Sequence, residues 1–242
     1  NWQTQQLTQQ VVAASAQGTL PFGFPAGDIA VAFGAEYRTE KGVAENSPTT
    51  KQRIYSVGNF ERMRGKYNVK EGFVEVDVPL LDQSVVDQLS FNAALRVTDY
   101  STSGTVKTWK VGLTSQLNSD IRVRGTVSRD IRAPNLNELF SEGLSTLSSA
   151  IDPRTGINQA IFSFSSGNPN LTPEKATTYS AGIVLTPGFA PGLNVSLDYY
   201  SITLKDAIAT IGSGVVRDRC ASGDTKFCDQ LVYEGAVDSN TG

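Results

Sequence analysis

The chain has 242 residues with 21 basic and 24 acidic side chains, a formal charge of −3, and no histidine. That absence excludes Ser-His-Asp and Cys-His nucleophiles, HExxH zinc helices, two-His-one-carboxylate iron sites and any histidine switch near neutral pH. The mildly acidic balance offers no basic stripe for a nucleic-acid backbone, so no nucleic-acid partner is expected, and no apolar run reaches the roughly 18 residues of a membrane helix, so any membrane role must come from strands.

In chain order, the dominant signal is period two. A weak strand is expected at 10–20. Over 28–38, Ile29, Val31, Phe33, Ala35 and Tyr37 alternate with Asp28, Ala30, Ala32, Gly34, Glu36 and Arg38. Over 70–78, Val74, Val76 and Val78 oppose Glu71, Glu75 and Asp77; over 88–100, Leu89, Phe91, Ala93, Leu95 and Val97 oppose Ser90, Asn92 and Arg96. Trp109, Val111 and Leu113 then alternate with Thr108, Lys110 and Thr114, and Ile121, Val123 and Val127 with Arg122, Arg124, Thr126 and Ser128. Two more strands follow at 176–186 and 193–204, the first around Tyr179, Ala181, Ile183 and Leu185, the second around Val195, Leu197 and Tyr199. About eight strands result, with helix confined to a short turn near 215–221.

These strands exceed the five or six residues of a typical globular strand and match the 9–11 of a tilted membrane-crossing one. Links 21–27, 80–87, 117–119 and 187–192 are short, whereas 40–68, 132–174 and everything after 205 are long; only 101–104 breaks the alternation. Successive links of an antiparallel sheet fall on opposite edges, so long loops gather on one side, as in outer-membrane barrels. In that orientation Tyr37, Trp109, Tyr179 and Tyr199 lie toward the upper part of the apolar face and Phe91 near its lower edge, where aromatic girdles sit. A soluble β-sandwich shares the alternation. Strand length, one-sided loops and a polar face rich in Ala, Gly, Ser and Thr favour lipid over a second sheet.

The ends carry no signal-peptide pattern at Asn1-Trp2-Gln3-Thr4 and loop-like residues at Ser239-Asn240-Thr241-Gly242, and read as cut on both sides. Cys220 and Cys228 match no CxxC spacing. They are either two separate thiols or a disulfide closing a polar loop, which implies an oxidising compartment and contributes about 2.5 kcal/mol.

No catalytic constellation stands out, and no enzyme activity, cofactor or metal is expected. Glu71, Glu75 and Asp77 share a strand face at a spacing compatible with a glycosidase pair. The stronger reading is cross-strand ion pairing with Arg96, Lys110, Arg122 or Arg124. The stretch Asp152-Pro-Arg-Thr-Gly156 and the pair Asp224 and Asp229 lack the spaced ligand series of a calcium loop. Asn170-Leu-Thr172 and Asn194-Val-Ser196 fit a glycosylation pattern that is common by chance.

Four sequence words add what spacing cannot: Phe33-Gly-Ala-Glu-Tyr-Arg38, Val74-Glu-Val-Asp-Val-Pro-Leu80, Arg129-Asp-Ile-Arg-Ala-Pro-Asn135 followed by Glu138-Leu-Phe140, and Gly167-Asn-Pro-Asn-Leu-Thr-Pro-Glu174. In order and spacing they resemble the barrel of TonB-dependent outer-membrane receptors. In that family an Arg-Ala-Pro segment, here Arg132-Ala-Pro134, ends a rising strand, and an Asn-Pro-x-Leu-x-Pro-Glu segment, here Asn168–Glu174, leads into the next descending one. Leu197-Asp-Tyr-Tyr-Ser-Ile-Thr-Leu-Lys-Asp-Ala-Ile208 looks like the strand after it.

The resemblance implies an all-β, antiparallel, up-and-down transmembrane barrel segment, about eight strands of the family's roughly twenty-two, with no plug-like region and no terminal aromatic residue. It implies energised uptake of a scarce outside ligand such as a siderophore, cobalamin or saccharide. Its partners would be outer-membrane lipid, the plug, the TonB complex acting through that plug, and the ligand, in the outer membrane of a Gram-negative bacterium. Glu36, Glu71, Glu75, Arg96, Lys110, Arg122 and Arg124 would face the lumen. Loops 40–68, 132–174 and 205–242 would face the ligand, with Arg53, Tyr55, Arg62, Arg64, Phe140 and Phe162 as contact candidates. An open slice would leave two bare edges and a large apolar face, so the isolated piece is expected to be insoluble or to associate. The alternative is a secreted β-sandwich adhesin or carbohydrate-binding module using the same loops.

Overall fold

The structure, a computed structural model, describes residues 2–51, 61–152 and 155–232. It is 65% strand and 9% helix. The elements are β1 (Gln3–Phe24), β2 (Gly27–Asn46), α1 (Pro48–Lys51), β3 (Met63–Asp82), β4 (Gln88–Tyr100), β5 (Gly104–Asn118), β6 (Ile121–Arg132), α2 (Leu136–Phe140), β7 (Leu144–Ile151), β8 (Asn158–Ser165), β9 (Glu174–Leu185), β10 (Val195–Lys205), α3 (Ser213–Ala221) and α4 (Thr225–Cys228).

Eight strands form one antiparallel sheet in the order β1-β2-β3-β4-β5-β6-β9-β10, and β7 and β8 form a separate hairpin within the β6–β9 connection. β1 and β10 are edges, so the sheet is open, as a partial barrel must be. Residues 25–26, 83–87, 119–120 and 186–194 join strands on one edge; 47–62, 101–103 and 133–173 join them on the other, here called the upper edge.

Three expected boundaries move. The 40–68 loop shrinks to 47–62, because β2 continues to Asn46 and β3 starts at Met63. Seventeen residues of β1 pair with β2 without a break from Gln3 to Thr19, beginning well before the expected 10–20. The 132–174 connection is not one loop but holds α2 and the β7–β8 hairpin. The shared reason is that, where both faces of a strand meet water, apolar alternation is no longer required, and the backbone ladder continues through polar sequence such as Thr39-Glu40-Lys41.

Pairing register fixes which side chains share a face. Phe33, Val74, Leu95, Trp109, Arg129, Thr177 and Thr203 form one continuous row on the outer face. Tyr37 stands four residues above that row on β2, Tyr179 two below it on β9 and Tyr199 four below it on β10. The aromatic line therefore crosses the sheet diagonally. Eight residues of descent over six strand spacings correspond to strands tilted about 42° from the normal to that line, taking 3.3 Å per residue and 4.8 Å per strand. Membrane barrels tilt their strands by 35–45°.

The chain exposes 16125 Å², against about 10,500 Å² for a compact monomer of 25.9 kDa. The excess is apolar: Phe33, Val74, Leu95, Trp109, Val111, Leu113, Tyr179, Leu197 and Tyr199 are all exposed on one face. No second sheet covers that face among the described residues, which removes the ground for a β-sandwich. Burial is confined mainly to the inner face at the upper edge, where Ala44, Met63, Tyr67, Val69, Leu136 and Leu139 form a cluster flanked by Tyr100, Phe140 and Leu171.

Candidate functional site

The upper mouth is built by a strap that crosses the inner face. β6 ends at Arg132, two residues before Pro134, which has no amide to donate to a ladder. Asn135 then caps α2: the Glu138 amide donates to Asn135 Oδ1 at 2.9 Å, and the Asn135 amide donates to Glu138 Oε2 at 2.8 Å. The five-residue helix carries Leu136 and Leu139 across the concave side to β3, three strands away, about 14 Å at 4.8 Å per strand. Ser141 bridges to Met63, and the Glu142 amide donates to the Arg62 carbonyl at 2.8 Å. Gly65 makes room for Phe140, since a Cβ there would collide with the Phe140 ring. Gly167 is equally constrained, its Cβ position lying 2.7 Å from the Ser141 nitrogen.

A four-way ionic clasp ties this strap to the strand ends. Arg132 donates to both oxygens of Glu174 at 2.8 Å and to both of Glu138 at 3.0 Å. Glu174 Oε1 also accepts the Ile208 amide at 2.7 Å. β6, α2 and β9 thus meet at one guanidinium, and the segment after β10 joins them through the Glu174 carboxylate. The Arg132 hydrogen bonds, followed by the Ile208 amide, lower the Glu174 carboxyl from 4.5 to about 2. The clasp lies above the aromatic line, three residues beyond the Trp109–Arg129 pair. Also above that line, Tyr67 donates to Glu40 at 2.7 Å, and burial, then that carboxylate, push its phenol well above the usual range.

The inner face below the strap is polar. Glu36, Glu71, Glu75, Arg96, Lys110, Arg122 and Arg124 all lie on it by register. Arg96 pairs with Glu71 at 2.9 Å and stacks over Phe73 at 5.2 Å. Arg124 reaches past β9 to Asp198 on β10, donating to both carboxylate oxygens at 2.8 Å. Gly182 between them permits this, because its Cβ would collide with that carboxylate. Arg122 donates to Gln116 at 2.8 Å, and Glu36 accepts Arg38 at 2.7 Å. Of the expected cross-strand pairs, only Glu71–Arg96 forms among the described residues; Arg124 chooses Asp198, and Glu75 and Lys110 project without an ion-pair partner, separated by Ala94. A cavity of about 310 Å³ opens at the lower end of this face beside Asp77, Gln116 and Arg122.

The mouth candidates separate. Arg53 and Tyr55 fall outside the described residues. Arg62 stands at the foot of β3 and pairs with Glu142 at 3.3 Å. Arg64 belongs to β3, not a loop, and shares the outer face with Glu45, its partner at 2.9 Å. Phe140 is spent on the Gly65 contact. Phe162 is 74% exposed on the β7–β8 hairpin, beside Leu147 and Phe164. Cys220 and Cys228 are joined, linking α3 to α4. Sequence reasoning missed Leu136, Leu139 and Asp198; the Asn135-x-x-Glu138 capping pattern was the available signal for the first two. Among the described residues no cluster of acidic, histidine or cysteine side chains is arranged to hold a metal.

The family model described as TonB dependent receptor-like, beta-barrel matches residues 1–241. Among solved structures, the chain is similar to the siderophore receptor PirA from Acinetobacter baumannii, at 20% identity and a TM-score of 0.58, over 83% of this chain and 28% of that one. It is similar to a variant of the ferric enterobactin receptor PfeA from Pseudomonas aeruginosa, at 17% identity and 0.57, over 82% and 27%. The RagAB peptide transporter aligns at 15% and 0.55, over 84% and 24%. At these identities the likeness concerns the fold, and the chain spans about a quarter of the length of the structures it matches. No protein of curated function matches it.

Proposed function

The chain belongs to the TonB-dependent receptor-like β-barrel family, and from that membership we propose that it forms wall and outer vestibule of a receptor that takes up a scarce ligand across the outer membrane of a Gram-negative bacterium. The observation that carries the reading is the outer face: continuous, apolar and crossed by an aromatic line at the slope expected of membrane strands. The sheet separates two environments, lipid outside and a polar lumen inside.

In this reading the upper edge faces the exterior, and ligand meets the 47–62 connection, the β7–β8 hairpin and the segment after β10. Arg62 and Phe162, with Arg53 and Tyr55, are the contacts proposed there. Glu36, Glu71, Glu75, Arg96, Lys110, Arg122 and Arg124 line the lumen, where the unpaired Glu75 and Lys110 meet a plug that the TonB complex pulls. Ferric siderophores are the first ligand class to try, because two of the similar structures are siderophore receptors; cobalamin and saccharides follow. Cells carrying the full-length receptor accumulate one of these labelled ligands only when TonB is present. Accumulation that persists without TonB contradicts the proposal.

A further inference from the structure

Three stretches of chain that diverge at the mouth are tied by one cation. Arg132 uses the Nε–Nη2 edge of its guanidinium on Glu174, both bonds at 2.8 Å, and Nη1 on the two oxygens of Glu138 at 3.0 Å. The carboxylates stand at opposite ends of the β6–β9 connection: Glu138 lies in α2, where the chain leaves along the strap, and Glu174 opens β9, where it returns to the sheet. Among the described residues no other cation pairs with either. Glu174 is the more enclosed, its side chain 11% exposed against 24% for Glu138.

The third stretch arrives from β10. That strand ends at Lys205, and Asp206 turns the chain at φ +57°, a left-handed conformation that aspartate tolerates. The Asp206 carboxylate holds Lys175 at 2.9 Å. Two residues on, the Ile208 amide donates to Glu174 Oε1, the same oxygen that accepts Arg132 Nη2. On the other side, the Asn168 amide donates to the Glu138 carbonyl at 2.8 Å and the Gly167 amide to the Ser141 carbonyl at 2.9 Å. The base of the β7–β8 hairpin is therefore fixed to the residue whose carboxylate Arg132 grips. Taken away, the cation leaves two carboxylates facing each other in a partly enclosed site, where like charges repel. Two movements relieve that repulsion: the strap lifts Glu138, or Glu174 swings aside and releases Ile208.

We infer that Arg132 is a positioning residue shared by the β7–β8 hairpin and the segment after β10: one charge sets both, and displacing either loosens the other by the same factor, as linkage requires. In the reading above, on which the use of this coupling rests, both segments face the ligand, so a ligand that orders the hairpin also orders the segment after β10. The coupling itself is a property of the empty receptor.

The test is hydrogen exchange on the full-length receptor without ligand, following the strap amides of Leu139, Ser141, Gly167 and Asn168, the Ile208 amide, and the β4–β5 ladder as a control. Arg132→Gln accelerates the strap and Ile208 together, each about tenfold, and leaves the ladder unchanged. Adding Glu138→Gln to Arg132→Gln removes the repulsion while keeping the α2 cap, which glutamine also completes; it restores most of the Ile208 protection, although Glu138 does not touch Ile208. Arg132→Lys, which keeps the charge but loses the two-edged fork, moves both sets by a smaller factor. Acceleration of the strap alone or of Ile208 alone in Arg132→Gln, or no recovery at Ile208 in the double variant, overturns the inference. So does acceleration of the β4–β5 ladder, which would make Arg132 a support of the whole sheet. Accumulation of a labelled ferric siderophore that ignores Arg132→Gln while both segments loosen contradicts the ligand-facing reading and leaves the coupling standing.

Discussion

Leu139→Ala is the most informative single perturbation of the mouth. Leu139 is 2% exposed and lies against Met63 and Val69, themselves 2% and 0% exposed. Removing a leucine side chain from such a site costs about 3 kcal/mol in lost transfer energy and residual cavity. A helix of five residues has no stability of its own, so that cost falls on the strap rather than on the sheet. At 1.4 kcal/mol per tenfold, strap opening rises roughly a hundredfold. Hydrogen exchange on the full-length receptor reads this directly: the amides of Leu139, Ser141, Glu142, Gly167 and Asn168, which bond within or across the strap, accelerate by about two orders of magnitude, as local opening requires. Amides of the β4–β5 ladder keep their rates. Uniform acceleration across strap and sheet, or none in the strap, refutes the view that the mouth is a separately stabilised layer.

Three further outcomes follow from other contacts. Because the Glu174 carboxyl is held near 2 instead of 4.5, its contribution is fully present above about 4.5 and is lost as pH falls toward 2; exchange at the Ile208 amide should rise through that window, and E174Q should remove the pH dependence. Asp198→Asn breaks the Arg124 pair but costs less than about 1 kcal/mol, since both partners are roughly half exposed; a larger loss in a urea titration would mean that the pair is buried by something on the inner face. Val76→Lys, on the outer face about 11 Å below the aromatic line, should cost about 2–4 kcal/mol of folding into vesicles, whereas Ala94→Lys, inward and opposite Glu75, should cost little. Equal costs for the two would deny the separation of the faces.

Strands with one face in lipid were legible in the sequence because that face must be apolar and the other need not be: β4, β5, β6, β9 and β10 begin and end near where period two does. The first part of β1 was illegible, since Gln3-Thr-Gln-Gln6 and Thr8-Gln-Gln10 carry polar residues on both faces, and only its pairing with β2 makes it a strand. The clasp was visible only as motif words. Arg132, Glu138 and Glu174 were each recognisable, but that they share one guanidinium depends on β6 and β9 becoming neighbours once the β7–β8 hairpin is set aside. The Arg124–Asp198 pair skips a strand and turns on the missing Cβ of Gly182, a geometry that no pattern along the chain encodes. The short α2 offered no helical period, only its cap.

The measurement that bears most directly on the central claim is environmental periodicity. Spin labels placed singly at 74, 75, 76, 94, 95, 110 and 111 of the full-length receptor in vesicles report oxygen, which concentrates in lipid, against a water-soluble nickel chelate. The barrel-wall account predicts strict alternation: Val74, Val76, Leu95 and Val111 accessible to oxygen, Glu75, Ala94 and Lys110 to the chelate or shielded by protein. Chelate access at Val74, Val76, Leu95 and Val111, or no alternation along β3, would contradict it.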